Sequence, residues 1–370
     1  EEMASAAEVS AFAQPTAAPG MLSAFLPKLQ QTLAAAGKRT VPDESLPEQA
    51  PALAVIEKWT PILSATRHCR QSEASVAALL AGGANPVARA SNGRTTLQTL
   101  AECATGDTGP VVKLVIDKAR SKSSTVEFRK FVNEPDDATG RSPLLSAVVR
   151  NQPETTRLLL AAGASPNSTS KDGQAPLHVA LEAGSHDVAR HLLAAGANPE
   201  QPNAMGLNPL YWMVDKGDVE GVKVLLGGGA KPNIAGDGGW MPLHRAVGGV
   251  APATAPGQPA APPRANPEMV ALLLGKGANA NALLANGKAP LHMALENDDL
   301  EAARTLLEGG AKPGIKKADG VLPLYTAVAK NKPEAVKLLL AHGANPDDDA
   351  SLYIAVQQNN LPMMQLLLNA

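Results

Sequence analysis

Residues 172–184 read DGQAPLHVALEAG, and variants of this stretch return along the chain, among them GGWMPLHRAVGG at 238–249 and NGKAPLHMALEN at 286–297. The prolines of these stretches follow a period of 33 residues, which is interrupted once by 15 additional residues. A fixed period of this length indicates stacked structural units rather than separate domains. The prolines that define it are Pro143, Pro176, Pro209, Pro242, Pro290 and Pro323.

Each unit carries a second signature about 16 residues after its proline, as in RLLLAAGASPN at 157–167 and HLLAAGANPE at 191–200. The proline predicts the start of a short helix, because its fixed φ suits the first turn and its missing N–H is not needed there. The Leu run predicts a second helix, which the glycine of AAGA ends in a left-handed conformation. The Asn-Pro and Asp-Gly pairs that follow are typical of turns. One unit is therefore a helix, a turn, a second helix and an extended finger.

The two signatures PLHVALEAG and LLLAAGASPN resemble those of the ankyrin repeat family, and the resemblance covers about residues 60–369. It implies an all-α fold, namely an ankyrin-repeat solenoid of about nine helix-turn-helix repeats with β-turn fingers. Six of the nine repeats match the family pattern clearly. It also implies a structural role for three motif histidines, which would tie the start of a helix to the neighbouring turn. These are His178, His244 and His292.

The N-terminal part of the chain departs from the repeat pattern. Residues 1–20 are rich in Ala and Pro, and we expect a flexible segment there. Residues 21–58 include an apolar stripe with helical spacing, which predicts a helical cap on the first repeat of a solenoid that spans 59–370. A docking helix for a partner is the alternative for the same segment.

Three insertions interrupt the solenoid pattern, near 105–110, 120–136 and 248–265. The second one, RSKSSTVEFRKFVNEPD, is predicted to be a long polar finger. The third lies between the two helices of the sixth repeat and carries five prolines, which exclude a helix and indicate a tolerated loop. A polyproline ligand or an assembly tether is the alternative for that loop.

Composition restricts the classes of partner and compartment. The net charge of −2 and the pI of about 6.4 give no electrostatic footprint for nucleic acid. No apolar run approaches the roughly 20 residues that span a bilayer, so we expect no direct membrane insertion. The two cysteines, Cys69 and Cys103, cannot form a disulfide framework, which favours a reducing, intracellular location in the cytoplasm or an organelle. Because the chain opens on Glu1 rather than Met, an upstream targeting segment stays an open alternative.

Motifs that would carry catalysis or bind a cofactor are missing from the sequence. It contains no phosphate-binding loop, dinucleotide fingerprint, serine-hydrolase elbow or zinc-protease motif. His68 lies beside Cys69 and about one repeat away from Cys103, which is not the spacing of a zinc site. We therefore expect no enzyme activity, no cofactor, no metal ion and no small-molecule substrate.

A solenoid offers its finger tips and first helices along one concave face. Two of the three tryptophans, Trp212 and Trp240, occupy such positions in neighbouring repeats, and aromatic and Arg side chains are enriched in binding hot spots. We predict that this face binds one or more proteins. The alternative is that the tryptophans only fill space between Ala-rich repeats. The predicted contact residues are Leu207, Tyr211, Trp212, Trp240, Met241, Arg245, Lys288 and Met293.

Two functions fit this pattern. The first is a non-catalytic scaffold that binds a partner reversibly, as an adaptor or regulator. The second is a permanent accessory subunit of a larger assembly, which contacts its neighbours through the inserts and the N-terminal segment. A free species near the chain mass of 38.0 kDa in size-exclusion chromatography would favour the first.

Overall fold

The computed structural model describes Ile62, Leu63, Thr66 and residues 73–90, 93–103, 108–203, 206–236, 239–248, 266–347 and 349–370. These residues form 18 helices, and their β structure is limited to one antiparallel bridge between Arg89 and Thr95. The predicted all-α fold is confirmed.

The helices follow the repeat period, with a first and a second helix in each repeat from α2 onward and one additional helix, α4. In chain order they are α1 Glu73–Ala81, α2 Thr96–Ala101, α3 Gly109–Lys122, α4 Thr125–Asn133, α5 Pro143–Val149, α6 Pro153–Ala161, α7 Pro176–Glu182, α8 His186–Ala194, α9 Pro209–Lys216, α10 Val219–Gly227, α11 Pro242–Ala246, α12 Pro267–Gly275, α13 Pro290–Glu296, α14 Leu300–Glu308, α15 Pro323–Ala329, α16 Pro333–Ala341, α17 Asp349–Gln357 and α18 Leu361–Leu368.

Local sequence explains where these helices begin and end. All six motif prolines stand at the first position of a first helix, as the sequence predicts. At the start of α9 the Asn208 side chain accepts hydrogen bonds from the N–H groups of Leu210 (2.9 Å) and Tyr211 (3.4 Å), which have no partner within the helix. After the second helices, glycines such as Gly163 (φ 95°) and Gly310 (φ 92°) adopt the left-handed conformation that ends the helix.

A motif histidine bonds the backbone at the helix start in two of the three repeats that read PLH. In α11, Nδ1 of His244 accepts from the N–H of Met241 (3.3 Å), and its Nε2 donates to the carbonyl of Ala282 in the next finger (3.0 Å). Nδ1 of His292 accepts from the N–H of Ala289 (3.2 Å) and its Nε2 lies 3.3 Å from the Val321 carbonyl. Nε2 of His178 lies 2.7 Å from the Gln201 carbonyl. The structural role predicted for these three side chains is confirmed.

The helices stack into two rows around one continuous apolar core. The second helices from α6 to α18 each contact the next second helix along the chain, and among the first helices α9 packs on α11 and α13 on α15. The core cluster runs from Ile62 to Leu367 and consists mainly of Leu, Val and Ala. Such a core has no single centre, so stability is expected to come from contacts between neighbouring repeats.

The segment at 120–136 corrects the sequence prediction. Most of it is helical: α3 continues to Lys122, and α4 follows after a two-residue turn, where the sequence predicts a long polar finger. Phe128, Phe131 and Val132 of α4 are buried, and α4 packs on both α3 and α5. Three apolar side chains at helical spacing thus outweigh the polar residues that precede them.

A ladder of polar side chains joins each finger to the following one. Asn167 donates from Nδ2 to the Gly196 carbonyl (3.1 Å), and its Oδ1 accepts from the N–H of Asn198 (2.8 Å). We call the residues at this position the finger ladder: Asn133, Asn167, Glu200, Asn233 and Asn281. One period beyond Asn281 the position is occupied by Gly314, which has no side chain for these bonds.

Several predicted features lie outside the described residues. They are the flexible segment at 1–20, the helical cap at 21–58, residues 104–107 of the first insertion and residues 249–265 of the Pro-rich loop. These stay predictions.

Candidate functional site

The predicted contact surface lies on the fingers and first helices of the fifth, sixth and seventh repeats, which we call the finger face (residues 206–217, 239–248 and 282–297). Its centre is formed by two adjoining first helices, α9 and α11, which pack against each other. Trp212 and Arg245 stand at the same position of these two helices, three residues after the motif proline. Both side chains are partly exposed.

Charged neighbours bracket Trp212. Lys216, one turn later on α9, places its Nζ 4.7 Å from the centre of the indole ring, at the distance of a cation–π contact. Arg245 of α11 reaches back to α9 and forms an ion pair between its Nε and Oδ1 of Asp215. The sequence predicts Arg245 as a contact residue, and the structure adds that its charge is matched by the carboxylate of Asp215.

Trp240 tops the finger of the sixth repeat. Its ring meets the His244 imidazole edge to face, with the ring centres 6.2 Å apart, and its backbone carbonyl accepts from the N–H of Gly236 (2.7 Å). Met241 next to it is partly exposed, and its N–H is held by His244. The tryptophan is therefore mounted on a finger that the buried histidine fixes, while part of the indole remains open.

Leu207 and Tyr211 belong to the fifth repeat and differ in exposure. Leu207 is partly exposed on its finger, where its carbonyl accepts from the N–H of Asn203 (3.0 Å) and its N–H donates to the side-chain Oδ1 of Asn203 (3.0 Å). Tyr211 is only 6% exposed and supports the next finger: a Cβ built on Gly236 would lie 3.2 Å from its ring. The prediction of Tyr211 as a contact residue is corrected, because the following finger covers its ring.

The seventh repeat extends the finger face with charge. Nζ of Lys288 lies 2.7 Å from Oε2 of Glu296, Nζ of Lys317 lies 3.4 Å from Oε1, and Lys330 donates to the backbone carbonyl of Glu296. Burial acts to raise the pKa of Glu296, but the hydrogen bond from Lys288 and the charges of Lys288 and Lys317 outweigh it and hold that pKa below its usual range. Met293 is 6% exposed and belongs to the core, so it too is corrected as a contact residue.

Three residues of this surface were not predicted: Asp215, Lys216 and Glu296. The i, i+4 spacing of Trp212 and Lys216 on a helix is a signal that the sequence does contain. Asp215 pairs with Arg245 of the next repeat, and Glu296 pairs with Lys288 of its own repeat and Lys317 of the next one. Pairs between repeats depend on how neighbouring repeats align.

The redox state of Cys103 departs from the sequence prediction. Cys103 is buried and disulfide-bonded, and Cys69, which lies outside the described residues, is the only other cysteine of the chain. Disulfides persist in oxidising compartments. The cysteine content therefore does not favour a reducing compartment.

The described ranges hold neither a cluster of metal ligands nor a helix that could span a membrane. They contain no group of three or more His, Cys, Asp or Glu side chains arranged to hold a metal ion. None of the helices in those ranges combines the length and the apolar character needed to cross a bilayer.

Comparisons with known proteins point to one family. A family model described as ankyrin repeats (3 copies) matches residues 103–203, 144–236 and 309–370, and a second, ankyrin repeats (many copies), matches 260–307. Among solved structures, the ankyrin repeat domain of Bcl-3, a member of the IkappaB protein family, is similar at 28% identity with a TM-score of 0.49, over 67% of this chain and 99% of that one. An ankyrin repeat domain from Acinetobacter baumannii AYE shares 23% identity with a TM-score of 0.44, over 55% of this chain and 98% of that one. A search of the curated proteins finds no match.

Proposed function

Because this chain belongs to the ankyrin repeat family, whose fold is a general protein–protein interaction module, we propose that it is a non-catalytic scaffold that binds a partner protein through its finger face, as an adaptor or regulator. Members of this family generally act without catalysis. The proposal assigns this chain a protein partner and no substrate, cofactor or nucleic acid.

The observation that carries the proposal is the pair of partly exposed tryptophans on adjoining repeats. Trp212 and Trp240 account for two of the three tryptophans in a chain with 3% aromatic residues. Arg245, ion-paired with Asp215, and Lys216, seated on Trp212, border them with charge. An apolar aromatic centre with a charged border is the arrangement in which binding energy concentrates. Leu207, Met241 and Lys288 complete the proposed contact set.

Replacing Trp240 with Ala tests the proposal. A hot-spot truncation costs at least about 2 kcal/mol, so the affinity for the native partner is expected to fall roughly thirtyfold. The immobilised full chain would be used to identify the partner from native extract, and calorimetry would then give the two affinities. Tyr353→Ala, which removes a 62% exposed aromatic side chain in the last repeat, is the matched control and should bind as the unchanged chain does. Equal affinities of the Trp240 variant and the unchanged chain would place the partner elsewhere.

The second candidate, a permanent accessory subunit, is favoured by one observation. The insertion at α4 is an ordered helix with an outward side chain, Val126, that is 80% exposed, as a fixed contact to a neighbour would require. Size-exclusion chromatography of the native protein separates the two candidates: a free species near 38.0 kDa supports the adaptor. Recovery only in a larger complex supports the subunit.

The intracellular location also remains a proposal. Its direct test is the state of Cys103 in protein taken from cells under conditions that trap thiols. A free thiol at Cys103 in that protein would support a reducing compartment, and a disulfide there, as in this structure, would support an oxidising one.

A further inference from the structure

A strongly charged surface lies away from the finger face, where α3 ends and α4 begins. We call residues 118–130 the basic hairpin. It contains five basic residues and one acidic residue, a net charge of +4 on a chain whose net charge is −2. Four of the basic side chains are exposed and one is partly exposed. They are Lys118, Arg120, Lys122, Arg129 and Lys130.

The acidic side chains near the basic hairpin leave most of this charge unmatched. Both carboxylate contacts of Glu127 are internal: its Oε2 accepts from the N–H and the hydroxyl of Ser124, each at 2.9 Å, and so caps α4. Glu134 pairs with Arg89 at 2.9 Å and lies 3.9 Å from Lys130. Three further cations of the hairpin, Lys118, Lys122 and Arg129, form no ion pair within the part of the chain that the structure describes.

The fold fixes the backbone that carries these cations. Phe128 and Phe131 of α4 are buried against the solenoid, and the Arg120 guanidinium lies 5.0 Å from the centre of the Phe128 ring. Val126, on the outward side of α4, is 80% exposed among the basic residues. A preorganised surface loses less entropy on binding than a mobile loop would.

We propose that the basic hairpin is a docking surface for an acidic protein segment that places an apolar side chain on Val126. An apolar contact surrounded by opposite charges fits the composition of a protein interface. Anionic lipid fits less well, because the other apolar side chains of α4 point into the fold and cannot enter a membrane. Single-stranded nucleic acid fits less well because the nearby aromatic rings, Phe128 and Phe131, are buried and cannot stack on bases. The proposal is independent of the function proposed for the finger face.

The test uses the full chain and a fluorescein-labelled peptide in which three glutamates flank a central leucine on each side. The variant Lys118→Glu/Lys122→Glu/Arg129→Glu reverses the unpaired charges. Arg304→Glu/Lys312→Glu/Lys316→Glu is the matched control, because these exposed residues lie in other repeats and the variant has the same total charge. Fluorescence anisotropy gives the affinities at low and moderate salt, and circular dichroism confirms that each variant is folded.

The proposal predicts that the hairpin variant binds the peptide at least about tenfold more weakly, while the control keeps most of the affinity. The corresponding Gln variant, which neutralises rather than reverses the same three charges, should fall between them. If the hairpin variant and the control lost the same peptide affinity, the loss would come from total charge alone, which would overturn the proposal. So would the absence of saturable peptide binding, or hairpin-dependent binding of phosphatidylglycerol vesicles or duplex DNA in its place.

Discussion

Gly314 is the residue where the finger ladder stops. At the equivalent position Asn281 bonds the Gly310 carbonyl (3.0 Å) and the N–H of Lys312 (2.8 Å). An asparagine at 314 would reach the Gly343 carbonyl and the N–H of Asn345 by the same offsets along the chain. We predict that Gly314→Asn raises the free energy of unfolding by about 0.5–1.5 kcal/mol, the net value of a hydrogen bond.

The matched control for this change is Gly314→Ala, which removes the flexibility of glycine without supplying an amide. Urea unfolding of the two variants isolates the contribution of the bridge. If Asn is no more stabilising than Ala, the ladder contributes no net stability at this position.

The motif histidines predict how stability depends on pH. Burial lowers the pKa of His178, His244 and His292 below the ordinary value of 6.5. In His244 and His292, protonation of Nδ1 would also break the bond that this atom accepts from the backbone. The unfolded chain then binds more protons than the folded one as pH falls below 6.5, so this contribution to stability is present above pH 6.5 and is lost below it.

Thermal melting between pH 7.5 and 5 should therefore show a falling melting temperature before the carboxylates begin to protonate. His244→Gln, compared at each pH with the unchanged chain, should show a shallower decline. A melting temperature that is constant across this range would contradict the assignment.

At the scale of elements, the helices of the regular repeats follow directly from the sequence, whereas α4 does not. Each motif proline fixes a helix start by its own geometry, so Pro143 and Pro323 mark α5 and α15 without reference to the rest of the fold. The start of α4 is hard to recognise in the sequence because polar residues surround it. The sequence does contain the capping box that Ser124 and Glu127 form there. Buried Phe128 and Phe131 then decide the outcome.

Phe131 tests the helical insertion. Its side chain is 3% exposed, and truncation of a buried Phe costs about 3–5 kcal/mol, so Phe131→Ala should strongly lower the free energy of unfolding. Val126→Ala on the outward side of the same helix, where the side chain is 80% exposed, should change it by less than about 0.5 kcal/mol. Urea denaturation followed by circular dichroism measures both. If both substitutions changed the free energy of unfolding by the same small amount, the segment would be a polar finger, as the sequence predicts.

The contact surface could be predicted only in part, because the sequence pattern describes one repeat and the surface depends on neighbouring repeats together. Position in the repeat identifies Trp212 and Trp240, because it states which side of a repeat they occupy. It does not state how far the next finger reaches over Tyr211 and buries it, nor that Arg245 of α11 pairs with Asp215 of α9. Exposure and charge pairing are properties of neighbouring repeats together.

At the scale of the whole molecule, the disulfide at Cys103 adds a covalent constraint on the unfolded chain to a fold that is otherwise stabilised by contacts between neighbouring repeats. Cys69 is the only partner that the same chain can offer, and closing a loop between these two positions is expected to contribute about 3–4 kcal/mol by the chain-entropy estimate. Cys69→Ser should therefore lower the melting temperature and leave a thiol at Cys103 that reacts with maleimide after unfolding. Detection of a chain dimer linked through Cys103 would contradict an intramolecular bond.

The interrupted finger ladder has a mechanical consequence. When a stacked protein is stretched from its two ends, the force passes from one repeat to the next, and the least bridged junction yields first. The junction beyond Gly314 lacks the side-chain bridge that the finger ladder supplies at the preceding fingers, and it keeps the bonds of Gln358 to the Ala329 carbonyl and of Asn360 to Asn331. We expect α17 and α18 to peel away at the lowest force in an optical-trap experiment, as a short initial extension, so that the last repeat would act as a release point when the chain carries tension.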